Sequence, residues 1–159
     1  MICEIPLSRG LFALVDTADF AWLSQWKWFA CSRYPQRNSG RGVSRTKVWM
    51  HREIARPRAG LVVDHIDGNP LNNTRANLRV CTTKENTRNC KGRRAGFKGV
   101  QPRARCRSRF LARIRVDGRL LRLGTYPSEV DAALAYDAAA RLHFGEFARL
   151  NFPEVAGPT

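Results

Sequence analysis

Apolar and polar positions alternate in short stretches along the first half of the chain, which is the period of half-buried strands. Ile5-Pro6-Leu7-Ser8-Arg9-Gly10-Leu11-Phe12-Ala13-Leu14-Val15 predicts two short strands about Arg9-Gly10. Asp16 to Gln25 carries Asp16, Thr17 and Asp19 ahead of Phe20, Trp22 and Leu23, the order of a short capped helix. Trp26-Lys27-Trp28-Phe29-Ala30 and Lys47-Val48-Trp49-Met50 predict strands joined by a Ser/Gly/Arg-rich loop around residues 35–45. A helix from about His51 to Ala55 stops before Arg56-Pro57, because a residue preceding proline is pushed out of the helical region. The aromatic residues of these segments are assigned to a core rather than to a base-stacking platform.

Leu61 to Ile66 and Leu78 to Cys81 predict two further strands about the turn signals Asp67-Gly68 and Pro70. Thr82-Thr83-Lys84-Glu85 has the form of a capping box, with Thr82 as N-cap and Glu85 three positions on, and this puts Asn86 in the first turn of a helix. Lys91 to Gly96 is a basic hinge. Beyond it Phe97–Val100, Phe110–Val116 and Leu120–Gly124 predict three strands, with the hairpin signal Asp117-Gly118 between the last two. Pro127-Ser128-Glu129 opens a helix to Phe144, with Ser128 as N-cap and Gly145 ending it; Leu134, Ala138 and Leu142 recur every four residues along one face. The fold class is α+β, its second part a three-stranded antiparallel sheet packed on one helix.

Charge sharpens this division. The 159 residues carry a net charge of +15, which points to a polyanionic partner, nucleic acid first. Of the basic residues after position 90, 12 lie between 91 and 122 against one acid, Asp117, so the sheet carries the charge and the helix is close to neutral. Arg113 and Arg115 alternate with Ala112, Ile114 and Val116, so both should face away from the helix. A sheet can enter the major groove, where arginine reads guanine edges, while further arginines neutralise phosphates without reading sequence. The five cysteines are odd in number and form no CxxC pair, which argues against a zinc site or disulfide framework and for reduced thiols in a cytoplasm. The start, Met1-Ile2-Cys3-Glu4-Ile5-Pro6, lacks the pattern of a signal peptide, and no stretch is long enough for a membrane span.

The densest chemistry lies between residues 63 and 86: Asp64-His65, then Asn77 twelve residues past the histidine, then Asn86 nine further on. Phosphodiester hydrolysis needs a base for the attacking water and a cation for the charge on phosphorus-bound oxygens. His65 suits the base because imidazole titrates near neutrality. Asp64 suits a hard divalent ion, and Asn86 offers a neutral carbonyl oxygen. Neighbours on a strand point to opposite sides, so Asp64 and His65 can flank a phosphate without competing for one place.

The run Asp64-His65-Ile66-Asp67-Gly68-Asn69-Pro70-Leu71-Asn72-Asn73, followed by Asn77-Leu78-Arg79 and preceded by Trp49-Met50-His51-Arg52, resembles the HNH endonucleases of the phage and intron-type homing branch over about residues 47–90. The resemblance implies a ββα-metal (His-Me finger) fold, its core at about 61–90 within a nuclease domain of residues 1–90, and one catalytic divalent ion, Mg2+ first with Mn2+ as the alternative. It implies Asp64 and Asn86 as metal ligands, His65 as general base, and Asn77 as the residue that holds the hairpin loop and so orients His65. The last family position is often histidine and here is Asn86, which leaves metal preference open. His51 belongs to the same pattern, with packing, a phosphate contact or ligation as its alternatives; Asn69, Asn72 and Asn73 are assigned to the loop.

After a basic linker at 91–96, residues 97–154 resemble the APETALA/ethylene-response-factor-type DNA-binding domain of plants, with 155–159 as a tail. Phe97-Lys98-Gly99-Val100, Ala112-Arg113-Ile114-Arg115, Leu123-Gly124-Thr125-Tyr126, the run from Ala132 to Ala139 and Leu150-Asn151-Phe152-Pro153 carry that resemblance. It implies major-groove binding by the sheet, with Lys98, Arg103, Arg105, Arg113, Arg115 and Arg122 at or near contact positions. The tryptophans of the plant DNA-binding face are absent and Gln101 stands for an arginine, so the plant target sequence does not carry over. The combined expectation is a monomeric DNA endonuclease of homing type that nicks duplex DNA while tethered by its sheet. A non-cleaving DNA-binding regulator and a ribosomal-type RNA-binding protein are the alternatives.

Overall fold

The computed structural model describes residues 1–40, 46–90, 96–103 and 106–153, with the side chains of 106–108 outside the description. Two compact units divide the chain, Met1–Asn86 and Thr87–Thr159.

In the first unit, β1 (Ile2–Pro6) and β2 (Phe12–Asp16) form an antiparallel hairpin in the register Ile5↔Ala13. Ile5, Ala13 and Val15 are the buried positions of its alternation, and with Leu23, Trp28, Met50 and Ile54 they make the core. Helix α1 (Thr17–Leu23) follows β2 directly. Asp16 occupies its N-cap position, but the carboxylate accepts a hydrogen bond from the Arg75 backbone N–H at 2.7 Å instead of capping the helix.

A second sheet has the order β3 (Phe29–Cys31), β4 (Tyr34–Ser39), β5 (Thr46–Trp49). Two expectations are corrected here. The central strand β4 lies in the segment read as loop: its composition is polar, yet it is paired on both edges and buries Pro35 and Gln36. The strand expected at Trp26–Ala30 starts only at Phe29, because the Trp28 indole N–H donates to the Leu23 carbonyl at 2.8 Å and holds that stretch as a loop under α1. Helix α2 (Met50–Ala55) closes with Arg56 in the left-handed region, φ 45°.

Strands β6 (Val62–His65) and β7 (Leu78–Cys81) pair antiparallel and lead into α3 (Thr83–Asn89), within which the two units divide. The capping box forms: Glu85 Oε2 accepts from the Thr82 N–H at 2.8 Å, and the Glu85 N–H donates to Thr82 Oγ1 at 3.3 Å. The connection between β6 and β7 is fastened to the N-terminal hairpin. Leu14 N–H donates to Leu71 O, and Asn73 N–H to Leu14 O, each at 2.8 Å. Arg75 adds two bonds of 2.7 Å to the buried carboxylate of Asp19, 56 residues earlier.

The second unit is a three-stranded antiparallel sheet, β8 (Val100–Arg103), β9 (Cys106–Val116) and β10 (Arg119–Tyr126), with β9 in the middle, packed on α4 (Glu129–Phe144). Phe97–Gly99 precedes β8 as a turn rather than forming the expected strand. Gly99 has φ +79°, and a Cβ there would sit 1.9 Å from a ring carbon of Tyr136, so only glycine seats that ring. This seat selects the helix face. Ala132, Ala133, Tyr136, Ala140 and Phe144 turn inward, and the stripe of Leu134 and Leu142, 49% and 81% exposed, turns out. Asp137 is fully buried and accepts from the Asn151 N–H (2.9 Å), Asn151 Nδ2 (3.0 Å) and the Phe152 N–H (2.8 Å). Asn151 in turn pairs with the Lys98 backbone, accepting from its N–H at 2.6 Å and donating to its carbonyl at 3.1 Å.

Candidate functional site

Strand β6 carries Asp64 and His65, each 5% exposed. The β6–β7 register sets Asp64 opposite Arg79 and His65 opposite Leu78. Arg79 donates to Asp64 Oδ2 from Nη2 at 2.7 Å and from Nε at 3.0 Å, a cation already compensating a buried carboxylate. Burial, and then the charge of Asp64, push the Cys81 thiol above its ordinary pKa.

His65 turns to the other surroundings. Its Nε2 lies 3.4 Å from Asn73 Oδ1, and its ring centroid is 5.2 Å from that of His51 and 6.0 Å from that of Tyr34. Burial lowers the pKa of His65, a shift that Asn73, Asp67 and Asp64 offset only in part.

Asn77 ties the connecting loop. Its Oδ1 accepts from the Asp67 N–H at 3.0 Å, and its Nδ2 donates to Asp67 Oδ1 at 2.9 Å and to Asn72 O at 2.8 Å. Asp67 also accepts from the Asn69 N–H at 2.7 Å and Asn72 Nδ2 at 2.9 Å. Burial raises the Asp67 pKa, but these donors outweigh it and hold the carboxyl below its ordinary value. The loop leaves β6 directly after His65, so the clamp fixes where that strand ends.

Asn86 sits in the first turn of α3, its N–H donating to Thr82 O at 3.0 Å. Among the described residues no three His, Cys, Asp or Glu side chains gather as a metal centre. The two residues that the sequence suggests as metal ligands, Asp64 and Asn86, offer one carboxylate and one amide oxygen. These are hard oxygen ligands of the kind Mg2+ takes, with water and substrate phosphate filling the remaining positions. The Arg79 ion pair at Asp64 marks a carboxylate that the fold already matches with positive charge.

Several members of this setting have a place in the site that the sequence does not suggest. Tyr34 and Trp49, from β4 and β5, pack on His51 at 5.7 and 6.2 Å between ring centroids. Arg79 belongs to the Asn-Leu-Arg run, and counting the hairpin register outward from His65 and Leu78 sets it opposite Asp64. The Asp19–Arg75 pair has no sequence signal.

In the second unit, Arg113 and Arg122 stand directly opposite each other on β9 and β10, and Arg115 stands opposite Leu120. Ala112 and Ile114, which alternate with these arginines, are buried. Arg103, Arg115 and Arg122 are exposed and Arg113 is partly so; Arg115 Nη1 donates to Gly118 O at 3.0 Å. Arg105 lies outside the described residues. The Lys98 ammonium donates to Arg88 O at 2.6 Å, and burial lowers its pKa to about 8. No helix among the described residues is long and apolar enough to cross a membrane.

Residues 55–88 match the family described as HNH endonuclease. Over 150 residues the chain is 33% identical to an uncharacterized HNH endonuclease of Acanthamoeba polyphaga mimivirus, covering 90% of this chain and 76% of that protein. The C-terminal region is similar to the DNA-binding domains of the APETALA/ethylene-response-factor type. It is 47% identical over 62 residues to dehydration-responsive element-binding protein 2A of Arabidopsis thaliana, 38% of this chain and 18% of that protein. It is 57% identical over 35 residues to protein 2E of the same series and plant, 22% of this chain and 14% of that protein. The chain thus spans less than a fifth of these two plant relatives.

Proposed function

This chain belongs to the HNH endonuclease family, and from that premise we propose that it nicks duplex DNA at the Asp64–His65 strand end while its basic sheet holds the duplex. HNH nucleases use a divalent metal ion. When bound, the ion supplies positive charge to the phosphate oxygens and the leaving oxygen. Asp64 and Asn86 are the residues that would hold it, and their oxygen donors favour Mg2+ over softer ions, with Mn2+ as the alternative. His65 takes the proton of the attacking water, and the observation that carries this reading is its place at the end of β6 beside Asp64, with the Asn77–Asp67 clamp directly behind it. Asn77 touches no substrate in this scheme; through Asp67 and Asn72 it keeps the loop, and hence His65, in place.

Arg103, Arg113, Arg115 and Arg122 supply the DNA contacts, and Arg105 is proposed with them from its sequence position. A tethered sheet raises the effective concentration of the nuclease at neighbouring phosphates. One catalytic set per chain corresponds to one nick per monomer, the behaviour of a homing-type enzyme working in the cytoplasm of its host. The test is conversion of supercoiled plasmid to open circle with Mg2+, with chelator, and with His65→Ala. Nicking by the variant at the wild-type rate would sink the mechanism, and tight binding with no cleavage under any divalent ion would favour a DNA-binding regulator.

A further inference from the structure

We propose that His51 is a second imidazole of the cleavage site, donating an Nε2–H hydrogen bond to a non-bridging oxygen of the scissile phosphate. This rests on the nuclease reading above and assigns a role to a residue that the 55–88 family match does not reach.

His51 stands in the first turn of α2, 8% exposed, with its ring 5.2 Å from that of His65 at an interplanar angle of 66°. Tyr34 and Trp49 wall its other sides. The polar groups around His65 are bonded: Asp64 to Arg79, His65 to Asn73, Asp67 and Asn77 to each other. His51 differs, because its Nδ1 is buried and has no hydrogen-bond partner among the described residues. A buried N–H without an acceptor is among the rarest features of folded proteins, whereas an unfilled acceptor lone pair is better tolerated. The proton of the neutral ring therefore resides on Nε2, which makes His51 a donor. The ring is neutral across the working range, since burial, then His65 and Arg52, lower its pKa to about 4.

The two imidazoles then have complementary tasks. His65 accepts a proton and His51 offers one in a hydrogen bond, and a phosphate, which only accepts, is the ligand that a donor beside the base would serve. A neutral donor suits this place better than lysine or arginine, because a fixed cation against His65 would lower its basicity further. Its benefit falls on the non-bridging oxygens, where charge gathers as the water attacks.

Glutamine and asparagine separate the two nitrogens of the ring, since the glutamine amide nitrogen reaches the Nε2 position and the asparagine amide nitrogen the Nδ1 position. In single-turnover nicking, His51→Asn should lose about 100-fold, the effect of removing one donor to a developing oxyanion. His51→Gln should stay within about tenfold of wild type and keep the acidic limb of the pH profile, because His65 remains the base. Equal loss in both variants, or a shifted limb in His51→Gln, would mean that His51 acts only by packing on His65, and would overturn the proposal. A second measurement needs neither variant to fold nor any cleavage. Long-range 15N–1H spectra of the intact wild-type protein should show His51 as the Nε2–H tautomer, with that resonance moving when metal-free duplex DNA is added. The Nδ1–H tautomer, or a resonance indifferent to DNA, overturns the proposal. Wild-type protein that fails to nick under every divalent ion would remove the nuclease reading, while the His51 resonance would still report whether the ring meets phosphate.

Discussion

Asn77 offers a test in which two conservative substitutions should rank in an unintuitive order. Asn77→Ala deletes three hydrogen bonds, to the Asp67 N–H, Asp67 Oδ1 and Asn72 O. At about 1 kcal/mol net for each, and with water free to reach exposed Asp67, the loss is about 2–3 kcal/mol, which a domain of ordinary stability survives. Asn77→Asp is closer in shape and keeps the acceptor for the Asp67 N–H. It also sets a second carboxylate where Nδ2 now lies 2.9 Å from Asp67 Oδ1. Repulsion at that separation is about 1.5 kcal/mol in bulk water and about 6 kcal/mol at an effective dielectric of 20, and the exposure of Asp67 favours the lower part of that range. Aspartate should therefore destabilise more than alanine at pH 7, and the order should narrow as pH falls and the carboxylates protonate. Urea unfolding followed by tryptophan emission measures this cleanly, because Trp22, Trp26, Trp28 and Trp49 all lie in the Met1–Asn86 unit. Nicking should fall in both variants, with duplex affinity unchanged because the arginine sheet belongs to the other unit. An aspartate variant as stable as the alanine variant at pH 7 would refute the reasoning.

The buried His51 sets an acid window. Its pKa of about 4 lies below the ordinary 6.5, so between these values the unfolded chain binds a proton that the folded ring refuses. Stability is then level above about pH 6.5 and falls as pH drops toward 4, by about 3 kcal/mol at most. His65 adds to the loss with the same sign; urea midpoints across this range should decline in wild type and decline less in His51→Gln. On the DNA side, Arg113→Ala and Arg122→Ala should each reduce the slope of log affinity against log salt by about 0.9 if the residue neutralises one phosphate. Fluorescence anisotropy over a salt series measures it, and an unchanged slope in the double variant would show that this pair does not meet the backbone.

What the sequence disclosed was local. The Thr82–Glu85 box, the Asp67-Gly68 turn and the Ser128 cap each place donor and acceptor within a few residues, and each forms, with Ser128 Oγ accepting from the Asp131 N–H at 3.0 Å. The short-range order of Asp64, His65 and Asn77 belongs to the same class, since one hairpin determines it. Features set by partners far along the chain were not legible. Strand β4 escaped notice for a different reason: its partners β3 and β5 are its neighbours in sequence, but its own polar residues carry no strand period. The helix α4 has two stripes of helical period, and the choice between them rests on Gly99 making room for Tyr136, 37 positions later. Lys98 stands in a basic segment, and nothing in that segment announces the bond of its ammonium to the Arg88 carbonyl. The aromatic rings about His51 and His65 come from β4, β5, α2 and β6, and no spacing rule connects them.

The Asp137–Asn151–Lys98 chain of bonds has a consequence for evolution rather than for chemistry. It fastens residue 98 to residue 151, and the rings of Phe97 and Phe152 meet beside it at 5.0 Å between centroids. The polypeptide therefore enters and leaves this small sheet-and-helix body at one spot, and a buried carboxylate holds that seam shut. A body closed in this way makes little demand on its host: the two joints lie side by side, so it can be grafted into a surface loop or appended to an end without stretching the recipient. That portability suits a segment found after a nuclease here and within dehydration-responsive element-binding proteins of plants.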